Sequence, residues 1–177
     1  MKAGSKAVFW DRDGTLMEEV HYCNDPAKVR VFDGAVAALA SLRSAGWLNI
    51  VVTNQSGIGS GRILMAEYEA VTAEFERQLG GLVDRVYFCP DPSSAPTHRR
   101  KPSPGMLEEA AAEFGLDLKK CWMVGDKDID VAAGRAAGCR TIAVRTGYGA
   151  KGGGVVPDEM VDGVAGAAAI ILQAQGC

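Results

Sequence analysis

No stretch of the chain approaches the roughly 20 consecutive apolar residues of a membrane-spanning helix, so nothing in it predicts a membrane partner. Nor is there a surplus of positive charge. Nineteen Lys and Arg against 22 Asp and Glu give a net charge of −3 and a pI near 5.4, which leaves no electrostatic footprint for nucleic acid. Paired cysteines are missing too: Cys23, Cys89, Cys121, Cys139 and Cys177 are odd in number and scattered, the usage of a reducing compartment rather than of a disulfide framework. Met1 to Lys6 runs straight into the first apolar stretch, with no room for a signal peptide, and a cytoplasmic location is expected. Histidine is scarce, and His21 and His98 fall in loop-like surroundings where a surface role is expected. There is no internal repeat and no domain-sized insertion. With 177 residues, 47% of them hydrophobic, a single domain over residues 1–177 is expected, a monomer being compatible with all of this.

What is present is organised around Val8-Phe9-Trp10-Asp11-Arg12-Asp13-Gly14-Thr15-Leu16. The apolar run Ala7 to Trp10 reads as a buried parallel strand, and it ends in two carboxylates two residues apart. Strand periodicity puts Asp11 and Asp13 on one side of the chain and turns Arg12 away from both. Two carboxylates on one side call for a cation between them or a retained proton. In open α/β sheets ligands sit beyond the carboxyl ends of the strands, so this pair is expected where chemistry happens.

Further along, Met17 to Val31 is mixed and polar, with an Asn24-Asp25-Pro26 turn, and reads as a flap over the site. Asp33 is expected to cap a helix with Val36, Leu39 and Leu42 on its inner face, stopped by Gly46. Trp47 to Val52 reads as a second strand breaking into Thr53-Asn54-Gln55-Ser56-Gly57, small polar groups that offer hydroxyls and free N–H groups to an anion. Helical spacing of Met65, Tyr68, Val71, Phe75 and Leu79 predicts a helix over about 64–79. A third strand, Val83 to Cys89, precedes an irregular stretch with four prolines. Ser103-Pro104 then reads as a helix start, with Leu107, Ala111 and Phe114 inward. Cys121 to Val124 is a fourth strand ending in Gly125-Asp126-Lys127-Asp128-Ile129-Asp130, and Asp128 is expected to cap the next helix, with Ile129, Ala132, Ala133 and Ala136 inward. Thr141 to Val144 is a fifth strand, Gly147 to Gly154 a glycine-rich mobile segment, and 161–173 the last helix. Strands alternating with helices predict an α/β, doubly wound, mostly parallel Rossmann-like sheet with helices on both faces.

Three strand ends would then carry complementary polar groups to one sheet edge: Asp11 and Asp13, Thr53 and Asn54, Asp126 and Asp130, with Arg99-Arg100-Lys101 entering from the helix start nearby. Carboxylates without imidazole or thiolate suit a hard cation, Mg²⁺ above all, which keeps part of its ligand shell from water and phosphate. Hydroxyl, amide and ammonium groups beside it suit a phosphoryl group, with Lys101 as a point charge on its oxygens.

In this order, Asp11-Arg12-Asp13-Gly14-Thr15, Thr53, Lys101 and Gly125-Asp126 with Asp130 resemble the four motifs of the haloacid-dehalogenase-like (HAD) phosphohydrolases, from Ala7 to about Gly147. Longer strings, among them Phe32-Asp33-Gly34, Val52 to Ile58, Arg100-Lys101-Pro102 and Val124 to Lys127, are similar to the branch without a cap domain. That branch holds the D-glycero-D-manno-heptose-1,7-bisphosphate 7-phosphatases and, near them, the histidinol-phosphate phosphatases. The resemblance implies a HAD fold with no cap domain and hydrolysis of a small sugar phosphate through an aspartyl-phosphate. In it Asp11 is the nucleophile and Asp13 the general acid and base. Mg²⁺ is held by Asp11, the backbone carbonyl of Asp13 and Asp126, with Asp130 behind them. Thr53, Asn54 and Lys101 hold the phosphoryl oxygens, and Gln55, Arg100, Lys101 and Lys127 face the substrate. These enzymes usually carry a zinc loop before Arg-Lys-Pro. Here only Cys89, Asp91 and His98 stand in that loop, one ligand short of a tetrahedral set, so a zinc-free loop is expected. The rivals to a sugar phosphatase are a histidinol-phosphate or other phosphomonoester hydrolase and a receiver-like phospho-acceptor; the latter needs an acceptor aspartate but no Asp13.

Overall fold

The computed structural model describes residues 5–149 and 154–174. Residues 150–153 of the glycine-rich segment, Cys177, and the first four residues ahead of the first strand lie outside them. The elements follow the expected alternation: β1 (Ala7–Trp10), α1 (Ala35–Ser44), β2 (Leu48–Asn54), a short α2 (Ser56–Gly59), α3 (Met65–Gln78), β3 (Arg85–Cys89), α4 (Gly105–Phe114), β4 (Trp122–Gly125), α5 (Asp128–Ala137), β5 (Arg140–Val144), β6 (Glu159–Val161) and α6 (Val164–Gln173). All six strands are parallel in the order β3-β2-β1-β4-β5-β6. The chain winds outward from β1 in both directions, so the strand order reverses at β1 and leaves a crevice over the carboxyl ends of β1 and β4.

Alternation along the central strands divides the core into two layers. Val8 and Trp10 of β1 join Val51, Val124 and Ile142 under α1, α3 and α6. Ala7 and Phe9 point the other way and join Ile50, Val52 and Met123 under α4 and α5. All four residues of β1 are fully buried, as a central parallel strand covered on both faces requires. Inside the first layer one polar residue is completely buried: Asn49 accepts from Trp10 Nε1 at 3.2 Å and donates to the carbonyls of Leu39 and Leu82, so the amide is satisfied where it lies.

Several local expectations are corrected. A sixth strand, β6, stands where the sequence assigned no strand, taking up Val161 from the start of the expected helix, since Met160 and Val161 sit in too short a run to show alternation. The cap of α1 is Gly34, at φ 83°, not Asp33: the left-handed turn needs glycine and places Asp33 outside the helix. Val36 is 45% exposed, the inner face being Ala35, Ala38, Leu39 and Leu42. Pro104, not Ser103, occupies the cap of α4, whose buried face is Met106, Leu107 and Ala110. In α5, Asp130, Val131, Ala133 and Gly134 face inward and Ala136 is exposed. Asp128 is the first helical residue, and it is Asp130 that reaches back to the cap, its Oδ2 accepting from Lys127 N at 3.0 Å. No helix among the described residues is long and apolar enough to cross a membrane.

Candidate active site

β1 ends at Trp10, but Asp11 extends its ladder by one bond, its N–H donating to Val124 O of β4 at 2.9 Å. The backbone then curls. The carbonyl of Arg12 accepts from the N–H groups of Thr15, Leu16 and Met17, and Gly14 takes φ 85°. Strand alternation therefore stops before Asp13, and the expectation that Arg12 points away from Asp13 is wrong. Arg12 is 1% exposed and grips the Asp13 carboxylate with two nitrogens, Nε at 3.1 Å and Nη2 at 3.0 Å.

β2 contributes Thr53, Asn54 and Gln55. Gln55 Nε2 donates to Thr53 Oγ1 at 2.9 Å and to Asp13 Oδ2 at 2.8 Å, so this amide links two of the expected site residues. Asn54 turns its side chain to the Lys101 backbone: Oδ1 accepts from Lys101 N at 3.1 Å, and Nδ2 donates to Lys101 O at 3.0 Å. That two-way clamp delivers Lys101, 2% exposed, to the floor of the site. There Lys101 Nζ lies 2.7 Å from Asp11 Oδ1, 2.7 Å from Asp130 Oδ1 and 2.8 Å from Val52 O. Burial works against the ammonium charge, but the two carboxylates outweigh it and hold its pKa above the ordinary lysine value.

Asp11, Asp126 and Asp130 offer oxygens within 4.8 Å of one another, the one group of three or more metal-type ligands among the described residues. Asp126 is fully buried. Its Oδ2 accepts from Tyr148 N at 2.8 Å, while Oδ1 has no hydrogen-bond partner among the described residues. Burial first, and the charge of Asp11 second, push the Asp126 carboxyl up to about 7. Asp130 is raised too, by burial foremost, with Lys101 opposing. Gly14 and Gly147 close over the Asp126 carboxylate so tightly that a Cβ on either would collide with it. Two of the three carboxylates, Asp11 and Asp130, share one lysine, and all the donors are hard oxygens. The donor set fits a divalent cation such as Mg²⁺ and is wrong for zinc, which favours nitrogen and sulfur.

Next to this cluster lies a pocket of about 200 Å³, lined among others by Asp13, Tyr22, Gln55, Arg100, Lys127 and Tyr148. The expected flap forms one wall: Met17 and Val29 anchor it in the core, and Glu19 to Cys23 face the cavity. Lys127 pairs with Glu19 Oε2 at 3.3 Å and lies 4.4 Å from the centroid of the Tyr148 ring. Arg100 is held by the carbonyl of Asp91 at 2.7 Å. In the adjoining loop Cys89 Sγ donates to Asp91 at 3.2 Å, while His98 pairs with Glu108 Oε2 at 2.6 Å, away from that pair. Arg12, Glu19 and Tyr148 are site residues that sequence reasoning missed. The charge and position of Arg12 were visible, but nothing in the spacing signalled the curl that turns it under Asp13.

A HAD-hydrolase-like family model matches residues 98–167. The D-glycero-D-manno-heptose-1,7-bisphosphate 7-phosphatase of Thermosynechococcus vestitus is 38% identical over 81% of this chain and 80% of its own length. The chain belongs to the HAD-like phosphatase family. The D-glycero-beta-D-manno-heptose-1,7-bisphosphate 7-phosphatase of Pasteurella multocida is 36% identical over 80% of this chain and 83% of its own. Among solved structures, the D,D-heptose 1,7-bisphosphate phosphatase of B. bronchiseptica, complexed with magnesium and phosphate, superposes with a TM-score of 0.87 at 30% identity, covering 96% of this chain and 99% of its own. A HAD-like phosphatase from Mesorhizobium loti gives 0.83 at 33% identity over 98% and 87%. The doubly wound parallel α/β sheet and the phosphatase class expected from the sequence agree with these relatives and solved structures.

Proposed function

We propose that the chain is a Mg²⁺-dependent phosphomonoesterase that removes the 7-phosphate of D-glycero-D-manno-heptose 1,7-bisphosphate, leaving the 1-phosphate. The observation that carries the chemistry is the buried Asp11–Lys101–Asp130 arrangement beside Asp126, next to a polar pocket lined by their chain neighbours Asp13, Arg100 and Lys127. Relatives at 32–40% identity carry that substrate in their names, which supports the heptose bisphosphate.

In this reading a carboxylate oxygen of Asp11 attacks phosphorus in line, and the bond from phosphorus to the ester oxygen breaks. Asp13 gives its proton to the departing alkoxide, then accepts one from the water that cleaves the aspartyl-phosphate, releasing phosphate and free Asp11. The Thr53 hydroxyl and Lys101 hold the phosphoryl oxygens, with the backbone of Asn54 beside them. Arg100 and Lys127 serve as cationic contacts for the rest of the substrate, and Gln55 acts through Asp13 and Thr53. The groups to hold Mg²⁺ are Asp11, Asp126 and the Asp13 carbonyl, and the cation supplies charge neutralisation for the phosphoryl group. The orphaned Asp126 Oδ1 supports that assignment. The loop at Cys89 works without zinc, the partner is a small phosphate ester, and the location is cytoplasmic.

The test is phosphate release from heptose 1,7-bisphosphate, histidinol phosphate and other small esters, with Mg²⁺ and with EDTA. Mg²⁺-dependent release that favours the heptose bisphosphate is expected. A preference for histidinol phosphate would move the substrate and leave the chemistry in place.

A further inference from the structure

Arg12 is a charged side chain sealed inside the protein beside a residue that the reaction needs. Its Nε and Nη2 face the two oxygens of Asp13 as a fork, 3.1 Å from Oδ2 and 3.0 Å from Oδ1, and the guanidinium carbon lies 5.8 Å from the centroid of the Tyr68 ring. Nη1 is buried and has no hydrogen-bond partner among the described residues. For stability this is an uneconomical arrangement. Desolvating a guanidinium works against the fold, and an apolar side chain of similar volume fills such a site at least as well. A forked donor, however, does what an apolar residue cannot: it fixes both oxygens, and so the plane, of a carboxylate. Gln55 Nε2 adds a third donor to Oδ2 at 2.8 Å. The curl of residues 12–17, built on the Arg12 carbonyl, makes this grip between sequence neighbours sterically feasible.

We infer that Arg12 is a positioning residue: it holds the Asp13 carboxylate in the orientation from which it exchanges a proton with the leaving oxygen and the attacking water. The inference rests on the phosphatase reading above. Arg12 borders the same pocket as Arg100 and Lys127 but is 1% exposed with its guanidinium turned onto Asp13, whereas those two are partly exposed and act on the substrate directly.

The test uses Arg12→Gln and Arg12→Lys in the full chain, first with enzyme in excess so that only the phosphorylation of Asp11 is observed. Two substrates are compared, a sugar phosphate whose alkoxide leaving group needs a proton and 4-nitrophenyl phosphate, whose leaving group does not. Arg12→Gln is expected to slow the sugar phosphate about 100-fold, within the range of general acid catalysis, while nitrophenolate release stays within about threefold of wild type. KM changes less than about twofold, and Arg12→Lys, which keeps one donor and the charge, recovers much of the loss. In an Asp13→Asn background Arg12→Gln costs nothing further, as a residue acting through Asp13 demands. Circular dichroism checks that the variants fold, and Arg12→Lys carries the comparison if Arg12→Gln does not. Equal slowing of both substrates, a loss expressed mainly in KM, or additivity with Asp13→Asn overturns the inference. If wild type prefers another alkyl phosphate, the heptose reading fails while the same comparison on that ester still decides Arg12. If wild type cleaves no ester, the phosphatase reading falls and the inference with it.

Discussion

The ends of β1 and β4 meet over one pocket, yet they treat charge in opposite ways. At the end of β1 each carboxylate has a cation in contact: Asp11 lies 2.7 Å from Lys101, and Asp13 is forked by Arg12. At the end of β4 the carboxylates outnumber the cations. Asp130 must share Lys101 with Asp11, Asp126 faces no ammonium or guanidinium within ion-pair distance among the described residues, and Lys127 is engaged with Glu19. The contrast separates two tasks. In the proposed mechanism, the groups that form bonds or move protons are held by protein cations that stay in place, and the surplus charge beside them is what a divalent ion would neutralise.

The comparison breaks most visibly at the nucleophile. Asp11→Asn removes the attacking oxygen and is expected to lower kcat by at least about 10³-fold in a phosphate-release assay. Removal of the shared cation comes next. Lys101→Met leaves Asp11 and Asp130 buried without their counter-charge, and denaturant unfolding should show a loss of about 3 kcal/mol together with loss of turnover.

The β4 side is tested by metal and pH. The Asp126 carboxyl is raised to about 7 in the folded protein against 3.8 for the ordinary group. A raised folded pKa means stability that is complete below the unfolded value and declines as pH rises through the folded one. Metal-free protein should therefore lose melting temperature between pH 5 and pH 8 (roughly, around that folded pKa). Added Mg²⁺ should raise Tm more at the upper end of this range than at the lower, because the ion binds the ionised cluster. Asp126→Asn should flatten both trends; a Tm independent of Mg²⁺ in the wild-type chain would refute the division of tasks. The smallest effect belongs to the flap. Glu19→Gln loosens a partly exposed ion pair with Lys127 and should cost about 0.5 kcal/mol or less by denaturant unfolding, so a large change in fold stability would show that the flap is more than a wall.

Much of this was legible in the chain. β1 is a run of four apolar residues ended by carboxylates, and it lies where the run predicts, because a central parallel strand admits few polar side chains. Gly46 at φ 82° and Gly138 at φ 83° end their helices as expected, since a left-handed stop favours glycine. Asp11 and Asp126 directly follow strand ends, Thr53 is the penultimate residue of β2 and Lys101 lies just ahead of α4, and parallel topology brings such ends to one edge. Helix faces were read less well. Val36 and Ala136 point outward and Asp130 inward, because apolar spacing cannot tell alanine at a surface from alanine in a core, nor foresee a buried aspartate paired with a lysine.

The sequence by itself therefore determined the alternation of strands and helices, the polar residues at their ends and the hard, oxygen-rich character of the donors, because these follow from local propensity and from the order of the elements. Only the tertiary structure decided which partner each charged group takes. Arg12 on Asp13, the Asn54 side chain on the backbone of Lys101, and Lys101 between Asp11 and Asp130 depend on a loop that curls after β1 and on strands brought side by side from distant positions. A hydrogen bond is set by ångström distances between atoms, and those distances exist only once the sheet has formed.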